Sequence, residues 1–365
     1  MNPLFGVICK AEIAAFRIPT EQPESDGTLA WNSTTLVTLK LWCGSVMGLG
    51  YTYADETIVQ LFNSKCKYFL LNKDPELHSS ILNSIDTNMR NLGNTGITSM
   101  CVALVDNCIW DLRARLRNEP LTIFLGFDKD KIEAYGSGGF TSYTIKELDS
   151  QLCRWVDDGF SNVKMKIGRN KLSDTQRIIS ARKAIGNTTG LMVDANGAYS
   201  IREACAMSDF LADMQINWFE EPVHHRDMQG FNFIRKYGDH SINIISGEYA
   251  YTLDDFRALV ENKSIDIMQA DATRCGVSNF IKAAALCDIF RIPLSAHTAP
   301  TLHTHLCCAA KSAINIEYFF DHALIEKRFF DGGINACAGW VSPDMSRPGS
   351  GIELKTEDLQ EYRIC

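Results

Sequence analysis

From about Ile132 onward the chain repeats one unit: a short apolar run, a polar turn, then an amphipathic helix. The apolar runs lie at 132–135, 163–167, 191–194, 217–220, 242–248, 265–271, 292–297 and 314–317. From Lys166 to Glu317 their ends recur roughly every 20 to 28 residues, the length of one strand plus a crossover helix. Parallel strands require such crossovers, and eight of these units close into a (β/α)8 barrel. The helix punctuation agrees. Ser173 with Gln176 makes a capping box for a helix ending at Gly186, Ser200 with Glu203 caps the next, and Ser278 starts a later one.

The first part of the chain has another grammar. Residues 4–19, 35–42 and 48–53 read as strands, and Thr20 to Trp31, polar and carrying Pro23 and Gly27, reads as a loop. Asp74-Pro75 opens a helix, and a longer apolar periodicity runs over 95–117. Strands followed by helices make an α+β module. The expected fold is therefore α/β: a TIM-like barrel at 127–333, preceded by an α+β domain at 1–126. A segment at 334–365 loses the repeat and returns to the first module.

Composition excludes several partners. A formal net charge of -8 and a pI near 5.5 argue against nucleic acid and anionic membranes. No apolar run reaches the roughly 18 residues that span a bilayer. Met1 to Phe5 lacks a basic stretch leading into an apolar core, so no signal peptide is expected. The 13 cysteines are odd in number and form no CxxC pair, which fits reduced, buried thiols in the cytoplasm.

The chemistry sits at the strand ends. In a parallel barrel the C-terminal ends of the strands form the mouth where active sites lie. Lys164, Lys166, Asp194, Glu220, Glu248, Asp271, His297 and Glu317 stand there in series. Lys164 and Lys166 alternate with Val163, Met165 and Ile167, so both ammonium groups leave on one face. Either they are surface lysines, or they meet anions or supply a depressed-pKa base. Asp194, Glu220 and Glu248 converge from three neighbouring strands and would not all ionise without a cation. Oxygen ligands favour Mg²⁺, with Mn²⁺ as the alternative. Asp271 beside His297 fixes the imidazole's tautomer and makes it a general base. Asn196 either reaches a metal-bound water or the substrate, or is a turn residue. Glu221 points away from Glu220 and takes a structural pairing role. His303, His305 and His322 lie beyond strand ends as packing or rim residues.

The ordered set Lys164-Met165-Lys166, Val193-Asp194-Ala195-Asn196, Trp218-Phe219-Glu220-Glu221-Pro222, Ser246-Gly247-Glu248, Asp271, Ser295-Ala296-His297 and Glu317 resembles the enolase superfamily, specifically its mandelate racemase subgroup. The resemblance covers essentially the whole chain and implies that the α+β module is a capping domain whose loops select the substrate. It implies removal of the proton alpha to a carboxylate and an enediolate held by Mg²⁺. Lys166 is then the base on one face, and His297, oriented by Asp271, the acid or base on the other. Lys164 neutralises the carboxylate and keeps the Lys166 pKa low, and Glu317 acts as a protonated hydrogen-bond donor. Cys275-Gly276-Val277 and Ala270 depart from the family pattern without removing a functional group.

The resemblance favours dehydration of a polyhydroxy acid to a 2-keto-3-deoxy acid. Racemisation or epimerisation of a 2-hydroxy acid is the alternative, and a non-catalytic binding barrel a further one. Polar Thr20, Glu21, Ser25, Asp26, Tyr51, Thr52 and Tyr53 in the capping loops fit a hydroxyl-rich small-molecule carboxylate. Trp31 and Tyr53, with Asn196, are the candidate substrate contacts. Family members are commonly homo-oligomers, which is the expectation here.

Overall fold

A computed structural model describes residues 4–365. Met1 to Pro3, part of the stretch read for a signal, lie outside the described residues. Strands β1 (Ile8–Ser25), β2 (Ala30–Cys43) and β3 (Val46–Tyr53) form an antiparallel sheet. Val37, Leu39 and Leu41 alternate onto its buried face, where the helix Ile97–Leu116 covers them with Leu104, Cys108 and Leu112.

Eight parallel strands follow: β4 (Ile132–Gly138), β5 (Asn162–Lys166), β6 (Gly190–Asp194), β7 (Trp218–Glu220), β8 (Asn243–Ser246), β9 (Ile267–Ala270), β10 (Leu294–Ala296) and β11 (Ala313–Phe319). Pairing of β11 with β4 closes them into a barrel. The outward residues Val163 and Met165 are fully buried under the helical ring. Inside, Tyr135, Met192, Trp218, Ile245 and Ile267 make an apolar floor. That floor shuts water out from below, so the polar side chains one layer higher interact in a low dielectric.

β12 (Phe330–Asp331), β13 (Trp340–Val341) and β14 (Glu353–Leu354) come after the barrel. β13 pairs antiparallel with the start of β4, and β12 pairs with β14. The chain end then runs to β1, where the Ile364 amide donates to the Ala15 carbonyl at 2.9 Å. No helix among the described residues is long and apolar enough to cross a membrane. All 13 cysteine sulfurs are unbridged, and most are buried.

Three local expectations are corrected. The polar stretch 20–31 is not a loop: β1 continues to Ser25 and β2 begins at Ala30, with a register shift between Pro19 and Glu24. Glu21, Pro23, Thr28 and Ala30 are exposed, and Asp26, Leu29 and Trp31 line a polar cavity rather than a core, so the apolar alternation that marks a strand is missing. The Ser173–Gln176 box does not form. The helix starts at Lys171 after Asn170, and Ser173 Oγ donates back to the Asn170 carbonyl at 2.9 Å. The helix read from Ser278 has an extra first turn, because helical residues begin at Ala272 and break at Gly276 (φ 82°). There the Asp106 carboxylate takes the Ser278 amide at 2.7 Å and leaves no room for a Cβ on Gly276.

Candidate active site

Register places the charged residues before any packing is considered. Lys166 lies opposite Asp194 across β5 and β6, and Asp194 opposite Glu220 across β6 and β7. Carboxylate oxygens of Asp194, Glu220 and Glu248 come within 4.8 Å of one another, all three residues being buried. Lys164 Nζ donates to both Glu220 oxygens at 2.6 and 2.7 Å and lies 2.8 Å from Glu317 Oε1. Lys166 Nζ donates to Asp194 Oδ2 at 2.5 Å. On the far side His297 Nδ1 is 2.9 Å from Asp271 Oδ2, and Nε2 is 3.1 Å from Glu248 Oε2. Lys166 therefore flanks the acids on the Asp194 side and His297 on the Glu248 side. A cavity of about 340 Å³ opens between them.

The electrostatics follow from burial. It pushes Glu220 up to about 8, helped by Asp194 and opposed by Lys164. Burial alone would lower His297, but Glu248 and Glu317, with the Asp271 hydrogen bond, raise it to about 10. The Asp271 carboxyl resists burial and is held well below its usual range by His297. For Lys166 burial and Lys164 pull downward, and Asp194 overrides both. The expectation that Lys164 keeps the Lys166 pKa low thus holds for its direction but loses to Asp194.

Three buried acids gathered among the Lys164 and Lys166 ammonium groups, the His297 imidazole and the Arg274 guanidinium form a site suited to a hard cation. Every available donor is oxygen, and Glu248 Oε2 is buried without a hydrogen-bond partner because His297 lies off-angle. The residues fit a divalent ion of the magnesium kind.

Of the other residues named from sequence, Asn196 lines the cavity in a left-handed conformation (φ 44°), with its side-chain oxygen unpartnered. Trp31 and Tyr53 also line it, although the Tyr53 hydroxyl already donates to Glu326 Oε1 at 3.2 Å. His322 stacks on Tyr53 with ring centroids 3.5 Å apart and forms part of the rim. His303 and His305 are packed inside, bonded to Ala272 and Thr122.

Two expectations change. Lys164 is fully enclosed beneath the site and balances Glu220 and Glu317 rather than facing the cavity. Glu317 is an acceptor on all sides, from Ser137, Lys164 and the Thr298 amide. Burial opposes its charge but Lys164 outweighs it, so the carboxyl is held down at about 2 rather than protonated. Glu221, given a structural pairing role, accepts from the Ser246 hydroxyl at 3.1 Å, and burial beside Glu248 raises its pKa.

The sequence reading missed Arg274, whose Nη1 donates to the Glu248 carbonyl at 2.8 Å, and Asp321 on the opposite wall. Arg274 had a signal, a cation one helical turn past Asp271. Asp321 had none.

A barrel whose mouth gathers three acids between a lysine and a histidine defines a metal-assisted carboxylate enzyme of the enolase type. Residues 147–359 match the family model described as Enolase C-terminal domain-like, and the chain belongs to that family, within the enolase superfamily. It is 29% identical over 96% of its length to the 3,6-anhydro-alpha-L-galactonate cycloisomerase of Streptomyces coelicolor, covering 97% of that protein. Other relatives are acid-sugar dehydratases, a further cycloisomerase and an epimerase.

Among solved structures, a mandelate racemase/muconate lactonizing enzyme-like protein from Rubrobacter xylanophilus superposes with a TM-score of 0.95. It is 39% identical, over 98% of this chain and 100% of that one. A racemase from Streptomyces coelicolor with bound magnesium gives 0.92 at 26% identity, over 98% and 100%.

Proposed function

We propose that the protein is a Mg²⁺-dependent acid-sugar dehydratase that converts a polyhydroxy acid to a 2-keto-3-deoxy acid. The observation that carries this is the placement of Lys166 and His297 on opposite flanks of the Asp194–Glu220–Glu248 cluster, facing one cavity. The bound ion would supply positive charge opposite the substrate carboxylate, where charge builds when the alpha proton leaves. Burial and Lys164 draw the Lys166 amine toward neutrality, and Asp194 is the largest of the charges that oppose them, ahead of Glu317 and Glu220. With Asp194 engaged by a cation, Lys166 Nζ is the group to accept the alpha proton. His297, oriented by Asp271, gives its Nε2 proton to the departing β-hydroxyl, which leaves as water. Arg274 holds Glu248 in place, and Asn196 offers its free oxygen to a substrate hydroxyl.

The dehydratases among the relatives support this over racemisation, which the same two groups would perform on an acid lacking a β-hydroxyl. The unbridged cysteines support a cytoplasmic enzyme, and the family's habit supports a homo-oligomer.

Incubation with Mg²⁺ and a panel of sugar acids should yield semicarbazide-reactive keto acids. Solvent deuterium entering the alpha position with no keto acid formed would favour the epimerase reading instead. Lys166→Ala and His297→Asn should each lower kcat by about a thousandfold or more, given the 10²–10⁴ scale of acid–base catalysis. Full activity in either removes that residue from the mechanism.

A further inference from the structure

We propose that the cavity selects a sugar acid with a single carboxylate, an aldonate, and rejects the dicarboxylate of the same chain length, because the wall opposite the metal-binding acids is anionic. The inference rests on the acid-sugar reading above and narrows its substrate class. The basic side chains that line the cavity on the metal side, Lys166, Arg274 and His297, are committed there to Asp194, to Glu248, and to Asp271 with Glu248. The opposite wall presents Asp26, Ser33, Thr34 and Asp321 between the rings of Trp31 and Tyr53. His322 on that wall is neutral, since burial and the His297 charge push it down to about 3. Surface cations stand nearby but outside the cavity lining: Arg169, exposed, donates Nε to the Asp26 carbonyl at 2.9 Å, and Lys327, Arg328 and Lys355 line a neighbouring cavity that shares Thr34 and Asp321.

Asp321 does not stand alone. Glu24, 1% exposed, sits behind it, and Trp31 Nε1 donates to both acids, at 3.0 Å to Glu24 Oε2 and 3.3 Å to Asp321 Oδ2. Thr34 Oγ1 adds a second donor to Asp321 at 3.2 Å. Burial, then the Asp321 charge, lifts Glu24 to about 10, so the pair holds one proton and keeps one negative charge. Such a wall accepts hydrogen bonds from hydroxyl groups and returns one from Ser33. A second substrate carboxylate, carried to this wall with the first at the metal side, would meet Asp321 and Asp26 with no positive partner. Like charges opposed in a desolvated site are a strong basis for rejection.

The test compares C5 and C6 aldonates with the aldarates that differ only in the terminal carboxylate, using the intact protein with Mg²⁺. Both kcat/KM for keto-acid formation and binding by calorimetry are read. The aldonate should be favoured by about a hundredfold or more, as expected for a charge placed against an uncompensated one. Asp321→Asn should shrink that ratio by about tenfold, mainly through KM for the aldarate.

Equal or tighter binding of the aldarate overturns the proposal, and so does binding of neither acid. Preferential aldonate binding without keto-acid formation would sustain it while refuting the dehydratase reading.

Discussion

A carboxyl buried beside another carboxyl makes stability depend on pH in a direction opposite to that of a salt-bridged acid. Glu24 has its folded pKa raised from 4.5 to about 10, by burial first and Asp321 second. The folded state therefore binds more protons than the unfolded chain between those values, and stability falls as pH rises through that window. Glu24→Gln removes the titration. The variant should match the wild type in Tm near pH 5 and exceed it at pH 9, and equal Tm values at pH 9 would show that the pair does not share a proton. This pair was illegible in the sequence, because Trp31 and Asp321 lie 290 residues apart and nothing local marks either acid. Lys164 and Lys166 were legible for the opposite reason. Their alternation inside a five-residue strand fixes which way both point. What alternation does not reveal is depth: Lys164 lies a layer below Lys166, between Glu220 and Glu317, and serves the acids rather than the cavity.

At the scale of elements, the β1–β2 hairpin decides how the cavity is roofed. Its tip, Asp26 to Leu29, leans on the barrel mouth, where Gly27 packs against main-chain carbonyls that follow β5 and β6. A Cβ on Gly27 would stand 2.7 Å from the Ile167 carbonyl oxygen and closer still to that of Ala195. Gly27→Ala must therefore lift the tip, displacing Asp26, Leu29 and Trp31 from the substrate. Misplacement on the order of 1 Å costs about a hundredfold in rate, so kcat/KM should drop by about that much with the circular dichroism unchanged. An unaltered kcat/KM would show that the tip does not contact substrate. The strand ends of the barrel were readable from their apolar runs and spacing. The outer part of the hairpin, 20–31, was not, since a strand with polar residues turned to a cavity and to solvent loses the pattern that identifies strands.

For the molecule as a whole, the three acids make folding and metal binding one equilibrium. A ligand that binds only the folded state at about a hundred times its Kd adds ~2.7 kcal/mol. Mg²⁺ should therefore raise Tm in the wild type, and EDTA should reverse the rise. Glu248→Gln should abolish the response while keeping the fold, because it removes a ligand charge and leaves the Lys164–Glu220 pair intact. A Mg²⁺-dependent rise that survives in that variant would move the ion elsewhere. The two parts of the chain are also joined behind the site. Asn107 donates to the Ala272 carbonyl at 2.9 Å and accepts from the Val277 amide at 2.9 Å, so the helix of the first module sets the turn that carries Arg274.

The seam at Gly27 has a consequence for anyone who would re-engineer the enzyme. A foreign hairpin grafted onto this barrel will seat only if its apex carries no side chain, whatever residues flank it. Diversity belongs on the arm positions that face the cavity, such as Trp31 and Ser33, while the summit and the buried face of the second arm stay as they are.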